Sequence, residues 1–302
     1  MSRDWEETFR RWKEPSSENE GQKCQNAERM IRDAIQEDDA LSKHKIEIFA
    51  QGSYHNNTNV RLQSDVDICV RLMDVFFTEF SFANGLTKDA VGLVDATYTY
   101  PQFKNDVERA LINKFGEDSI NRGNKAFDVH ANSYRVDADV VACCEHRRYS
   151  NHIVNGEYFF VSGTELHPDN GGRIINWPHQ HYNNGVEKNN ATGHRFKHIV
   201  RCLKRLKNEM ADTGVPAATP IPSYLIECLV WNAPNGSFGH QEYVTDVESV
   251  LKYTSESTAT SANCSEWGEV NELKYLFKGS QPWTLEQAHT FLDSARNYIE
   301  SK

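Results

Sequence analysis

The chain has 302 residues, with 33 Lys and Arg against 43 Asp and Glu for a net charge of −10, and it is 38% hydrophobic and 11% aromatic. The acidic balance excludes broad, non-specific nucleic-acid binding, which depends on neutralising many phosphates, but it leaves room for a local basic pocket. No apolar run approaches the ~18 residues needed to cross a bilayer.

The N-terminus, MSRDWEETFRRWKE, is charged throughout and lacks the apolar segment of a signal peptide. Seven cysteines without regular spacing point to reduced thiols and a cytoplasmic setting. In chain order, residues 17–41 read as a long helix that Ser16 or Ser17 can cap. Cys24, Ala27, Met30, Ile31, Ala34, Ile35 and Leu41 give it an apolar stripe at helical spacing. An apolar strand from Ile46 to Ala50 follows and breaks at Gly52-Ser53. After a polar loop, Asp65 and Asp67 alternate with Val66, Ile68 and Val70. Residues 74–100 read as a loop or short elements. Phe103 to Phe115 reads as a helix ended by Gly116.

Two further strands are expected, Lys125 to Val129 and Ser133 to Cys143. The second repeats the acid–apolar alternation, with Asp137 and Asp139 on one face. Glu145 to Asn190 is polar, with strand-like Tyr158 to Val161 inside it. From Gly193 the pattern is helical: His194 to Met210, then Tyr224 to Trp231 behind Pro220-Ile221-Pro222-Ser223, then Glu242 to Tyr253 and Leu285 to Ile299. The expectation is a mixed α/β lobe over 1–180, a helical lobe over 181–302, and an active site in the cleft between them.

The chemistry concentrates in IEIFAQGSYHNNTNVRLQSDVDICV. Residues i and i+2 of a strand share a face, so Asp65 and Asp67 point the same way. Two adjacent carboxylates repel unless a cation sits between them. Hard divalent ions suit oxygen ligands, Mg²⁺ above all. In a two-metal site one ion activates an attacking hydroxyl and the other clamps the leaving phosphate. A third acid comes from the downstream strand. Spacing alone allows Asp137 or Asp139; the two valines that follow Asp139 favour it. Gln51, Gly52 and Ser53 form a turn with N–H groups and a hydroxyl to offer an anion.

Lys197, Arg201 and Lys204 make a basic helix face, which ordinarily would be solvated. Lys204 is a candidate for a triphosphate, Ser223 stands at a helix N-terminus, and Tyr224 suits either base stacking or the core. Cys143, Cys144, His146, His179 and His181 lack the spacing of a zinc site; the cysteines read as packing residues and the histidines as loop residues.

GSYHNNTNVRLQSDVDICV resembles the signature of the polymerase-β-like nucleotidyltransferases. With RVDADVVACCEHRRY, INWPHQHYNNGVEKNN, TGHRFKHIVRCLKRLKN and IPSYLIECLVWN, residues 20–235 look like a bacterial cyclic-oligonucleotide synthase, related to the animal cyclic GMP-AMP synthase and oligoadenylate synthase. The resemblance implies that Asp65, Asp67 and Asp139 hold two Mg²⁺ ions, with Mn²⁺ as a substitute. It gives Gln51, Gly52 and Ser53 the donor phosphates, Lys204 and Ser223 the triphosphate, and Tyr224 the base. The long first helix braces both lobes. Ala142 stands where that family carries proline, and the zinc-binding insertion of the animal DNA sensor is missing.

The implied substrates are nucleoside triphosphates such as ATP and GTP, joined into a cyclic di- or trinucleotide with pyrophosphate release. The implied setting is anti-phage signalling through a nucleotide-gated effector, by a monomer without a membrane partner. Alternatives are a linear oligoadenylate synthase, a protein or small-molecule nucleotidyltransferase of the same fold, and a non-catalytic nucleotide sensor. Three acids kept together in a self-repelling cluster argue against the sensor.

Overall fold

The computed structural model describes residues 3–15, 18–60 and 65–301, with only the backbone for 18–20. The capping serines Ser16 and Ser17 lie outside the described residues, as does Lys302 at the end of the tail. The elements run α1 (Trp5–Trp12), α2 (Glu18–Gln36), β1 (Ile46–Gln51), the short turn α3 (Gly52–His55), β2 (Val66–Glu79), α4 (Tyr100–Phe115), β3 (Ile120–Arg122), β4 (Phe127–Val129), β5 (Ala138–Val154), β6 (Glu157–Leu166) and β7 (Ile174–Asn176). Helices α5 (Pro178–Ala191), α6 (Arg195–Asp212), α7 (Ser223–Asn232), α8 (Tyr243–Thr258) and α9 (Leu285–Glu300) complete the chain. None of the described helices is long and apolar enough to cross a membrane.

Two units emerge from this mixed α/β order. A sheet unit comprises residues 17–54 and 62–178; a helical unit comprises 1–16, 55–61 and 179–302. The chain therefore leaves the sheet unit after Tyr54 and returns to it at residue 62.

In the sheet unit the strand order is β1-β2-β5-β4-β3, with β6 on β5 and β7 on β6. β1 is antiparallel to β2, β2 parallel to β5, and β4 antiparallel to β5. Alternation sets the faces: Val66, Ile68 and Val70 of β2 are buried, as are Ala138, Val140 and Ala142 of β5. They join Ala27, Ile31 and Ile35 of α2 and Phe103, Val107 and Leu111 of α4 in one core. α4 starts in a capping box between Thr99 and Gln102 and stops at Gly116, whose φ is 86°.

Several expectations are corrected here. α2 ends at Gln36, so Leu41 reaches the core from a short 3₁₀ turn rather than from the helix. Part of the segment expected as loop over 74–100 continues β2 to Glu79, because Val75 and Phe77 have apolar neighbours to cover them. The strand expected to start at Ser133 starts at Ala138 and runs far past Cys143. It turns into β6 through Asn155-Gly156, at φ 54° and 86°, the pair that suits a tight hairpin. Within that hairpin polar side chains are buried yet matched. His146 Nδ1 lies 2.7 Å from Glu165 and its Nε2 3.3 Å from Glu79. Cys143 and Cys144 are fully buried free thiols, packing residues of the core.

The helical unit is built on α6. Its apolar face, Phe196, Ile199, Val200, Leu203, Leu206 and Met210, packs with α7, α8 and α9. Helix α1, which the sequence reading passed over, belongs to this core: Trp5 and Phe9 are buried, and Trp5 Nε1 donates to the Ile299 carbonyl at 2.9 Å. The opposite face of α6 is not solvated. Arg201 and Lys204 are both buried and Lys197 is half-buried.

Candidate active site

Register alone assembles the acids. Asp67 of β2 is paired with Asp139 of β5, and Asp139 is paired on its other side with Asp128 of β4. Gln51 of β1 faces Asp67, and Asn121 of β3 faces Asp128. Paired residues on adjacent strands, ~4.8 Å apart, share a face. The five residues Gln51, Asp67, Asp139, Asp128 and Asn121 thus form one polar row across five strands.

Asp65 precedes β2 and is exposed. Asp137 precedes β5; its carboxylate accepts the Ala131 N–H and so ties down the incoming loop. That gives Asp137 a structural duty and leaves Asp139 as the acid beside Asp67.

The turn after β1 presses on this row. Gly52 has φ +71°, and a Cβ on it would stand 2.1 Å from Asp67 Oδ2. Only glycine satisfies both the left-handed backbone and the close approach. Ser53 follows, half-buried in the same helical turn.

Electrostatics mark the row as short of positive charge. Burial, then Asp139 and Asp65, push the Asp67 carboxyl up to about 7. Burial, then Asp65 and Asp128 with a hydrogen bond from Asp128, push Asp139 up to about 6. Asp65 is raised as well, by burial and by Asp137 and Asp128. Each of these influences favours a proton over a bare anion, and a divalent cation would reverse it. A hard all-oxygen donor set of this kind fits Mg²⁺. Among the described residues no three such groups are already drawn to coordination distance.

Asp128 was not weighed from sequence. Its signal was there: in Phe127-Asp128-Val129 the two apolar residues are fully buried and the acid faces outward. Asn121 donates to it at 2.8 Å.

The remaining candidates belong to the helical unit. Ser223 is the first residue of α7, behind Pro222. Tyr224 is 37% exposed as a residue, while its hydroxyl donates to Glu269 at 2.8 Å. Burial, then Cys228 and Glu269, hold that phenol well above its usual range. Its ring lies 5.6 Å from His181 and 6.0 Å from Trp283. Lys204 is 1% exposed, and its ammonium donates to Glu227 at 2.8 Å and to Thr58 Oγ1 and O at 3.1 and 3.2 Å.

The chain is similar in sequence and in structure to known proteins. Residues 183–300 match the family model of the cGAS/DncV-like nucleotidyltransferase C-terminal helical domain. A cyclic dipyrimidine nucleotide synthase CdnE of Legionella pneumophila is 51% identical over 300 residues, covering 99% of each chain. One of the same description from Cecembia lonarensis is 41% identical, covering 99% of this chain and all of its own. The solved structure of Rhodothermus marinus CdnE c-UMP-AMP synthase with Apcpp and Upnpp superposes with a TM-score of 0.85 at 30% identity, covering 98% of this chain and 96% of that one.

Proposed function

The chain belongs to the CdnE cyclic dinucleotide synthases, which are nucleotidyltransferases, and on that premise we propose that it joins two pyrimidine nucleoside triphosphates into a cyclic dinucleotide at the Asp67–Asp139 row. The observation that carries the reading is the in-register pairing of Asp67 with Asp139 beside a turn that only Gly52 can make. The dipyrimidine activity named for both relatives supports the choice of bases.

Asp65, Asp67 and Asp139 would hold Mg²⁺. The ions, when bound, supply charge that acidifies the attacking hydroxyl and stabilises the departing pyrophosphate. The protein's own groups do the positioning. The backbone at Gly52 and Ser53, with the Ser53 hydroxyl, receives the donor's phosphates, and Gln51 fixes the strand end from which that turn departs. Asp128 and Asn121 hold Asp139 in the row. Ser223 offers a hydroxyl to phosphate, and the partly exposed Tyr224 stacks on a base.

In the reaction a ribose hydroxyl of one nucleotide attacks the α-phosphorus of the other. The α–β phosphoanhydride bond breaks, pyrophosphate leaves and the hydroxyl proton passes to solvent. A second attack of the same kind closes the ring. Positioning and charge neutralisation supply the catalysis. The product then acts on a nucleotide-gated effector, in the cytoplasm, where seven buried free cysteines are at home.

Incubating the purified protein with Mg²⁺ and the four triphosphates, followed by phosphatase and mass analysis, tests the assignment. A phosphatase-resistant product with the mass of a cyclic dipyrimidine dinucleotide is expected. A product with terminal phosphates would make the enzyme a linear oligonucleotide synthase, and a nucleotide attached to another molecule would make it an acceptor-specific transferase.

A further inference from the structure

Within the helical unit, Glu269 is a buried carboxylate, 4% exposed, and three neutral donors meet it. Its Oε2 accepts from the Tyr224 hydroxyl at 2.8 Å and from Asn271 Nδ2 at 2.7 Å; its Oε1 accepts from Gln281 Nε2 at 2.9 Å. A carboxylate removed from water needs such donors in its place. Both amides are oriented by second contacts. Asn271 Oδ1 accepts the Leu273 N–H at 2.8 Å, and Gln281 Nε2 also donates to the Tyr275 carbonyl at 2.8 Å, so each turns its NH₂ group toward Glu269.

The loop that carries Glu269 is itself stapled. Gly268 bridges Tyr275, the Glu269 N–H donates to the Lys274 carbonyl at 2.9 Å, and Glu272 turns the chain at φ 58°. Asn232, the last residue of α7, donates to the Gly268 carbonyl at 2.8 Å, and Asn184 of α5 donates to the Val270 carbonyl at 2.8 Å. Val270 and Leu276 enter the helical core. The carboxylate is thus fixed before Tyr224 meets it.

Tyr224 is the second residue of α7 and stays partly exposed. A side chain in that position has several staggered rotamers open to it. A charge-assisted hydrogen bond from its hydroxyl to an immobile carboxylate selects one. We propose that Glu269 is a positioning residue for nucleotide binding: by holding the Tyr224 hydroxyl it sets the ring in the orientation that receives the base of a nucleoside triphosphate. This rests on the nucleotidyltransferase reading above, in which Tyr224 stacks on a base. A ring already ordered loses no rotamer freedom when the base arrives, which tightens binding, while bond making involves other groups. Loss of the anchor therefore falls on KM and not on kcat. A Glu269 that only braced its own loop would change melting alone.

The test compares Glu269→Ala, Glu269→Gln, Tyr224→Phe and the double variant Glu269→Ala/Tyr224→Phe. Each is measured by steady-state kinetics with Mg²⁺ and UTP, and by NMR of ring-labelled tyrosine in nucleotide-free protein, where the signal missing from Tyr224→Phe identifies Tyr224. In Glu269→Ala the Tyr224 ring signal should shift, KM for UTP should rise on the order of threefold to tenfold, and kcat should stay within about twofold. Glu269→Gln keeps an oxygen for the hydroxyl and should fall between it and wild type. Tyr224→Phe should match Glu269→Ala, and the double variant should be no worse than the worse single one. Tyr224→Phe leaves Glu269 its two amide donors, so it serves if Glu269→Ala does not fold. An unchanged Tyr224 signal in the Glu269 variants, wild-type KM in Tyr224→Phe, or full addition of the two KM effects would overturn the proposal. So would variants that melt earlier yet keep wild-type KM. Should the wild-type protein form no nucleotide product, the functional reading fails, and the ring signal still decides whether Glu269 holds Tyr224.

Discussion

Asp67 fills the space where a side chain at Gly52 would begin: an added Cβ at Gly52 would lie 2.1 Å from Asp67 Oδ2 and 2.9 Å from its Cγ. The turn proposed for phosphate and the acid proposed for metal are therefore one mechanical unit. Gly52→Ala is expected to displace the Asp67 carboxylate and lower kcat on the order of a hundredfold. The left-handed φ of +71° adds about 1–2 kcal/mol of destabilisation. Kinetics and thermal melting read the two effects separately, and a fully active alanine variant would contradict the contact.

The raised carboxyls of Asp67, at about 7, and Asp139, at about 6, set the sign of a pH effect. Their folded values exceed the unfolded ones, so the folded state binds more protons. The stability they contribute is present at low pH and lost as pH rises through about 6 to 7. Metal-free protein should melt at lower temperature at pH 8 than at pH 6, and Asp67→Asn should flatten that decline. Mg²⁺ should raise the melting temperature more at pH 8 than at pH 6, because its ligands are then already ionised. Equal Mg²⁺ shifts at both values would count against metal binding in the row.

Asp128, hydrogen-bonded to Asp139 and raising its pKa, is expected to tune the pH of activity. Asp128→Asn removes the neighbouring charge while keeping a side chain of similar shape. The acid limb of the pH–rate profile should move to lower pH by about one unit or less. A profile identical to wild type would show that Asp128 does not communicate with the reacting groups.

Gly163 provides a control away from the acids. A Cβ there would meet Trp177 Cε3 at 2.6 Å and the Asn176 carbonyl at 2.7 Å. Gly163→Ala is expected to cost about 1–3 kcal/mol by overpacking, visible as a lower melting temperature, with turnover per folded molecule unchanged.

How much of this could be read from the chain depends on the range of the interactions involved. Asp65 and Asp67, and the pair Asp137 and Asp139, stood out as candidates because a strand's period of two places acids on one face without any knowledge of its neighbours; the valines after Asp139 favoured it. The pairing of Asp67 with Asp139, and the arrival of Asp128 on the far side, depend on strand register, which no local pattern states. Phe127-Asp128-Val129 carried the alternation, but three residues are too few to command notice. The Asn155-Gly156 hairpin was legible in principle from its turn residues and was passed over inside a polar stretch. Lys204 shows the opposite failure. Lysines and arginines at helical spacing ordinarily mean a solvated face, yet Glu227, Thr58 and His181 come from distant parts of the chain to bury and satisfy this one. Helix α1 was hidden for a related reason, its charged sequence masking the Trp5 and Phe9 that enter the core.

The most direct measurement of the central claim is turnover in Asp65→Ala, Asp67→Ala and Asp139→Ala, with circular dichroism and melting to establish that each variant is folded. The account predicts native spectra with cyclic dinucleotide formation reduced on the order of a thousandfold or more. Near-normal synthesis by a well-folded Asp67→Ala or Asp139→Ala protein would contradict it.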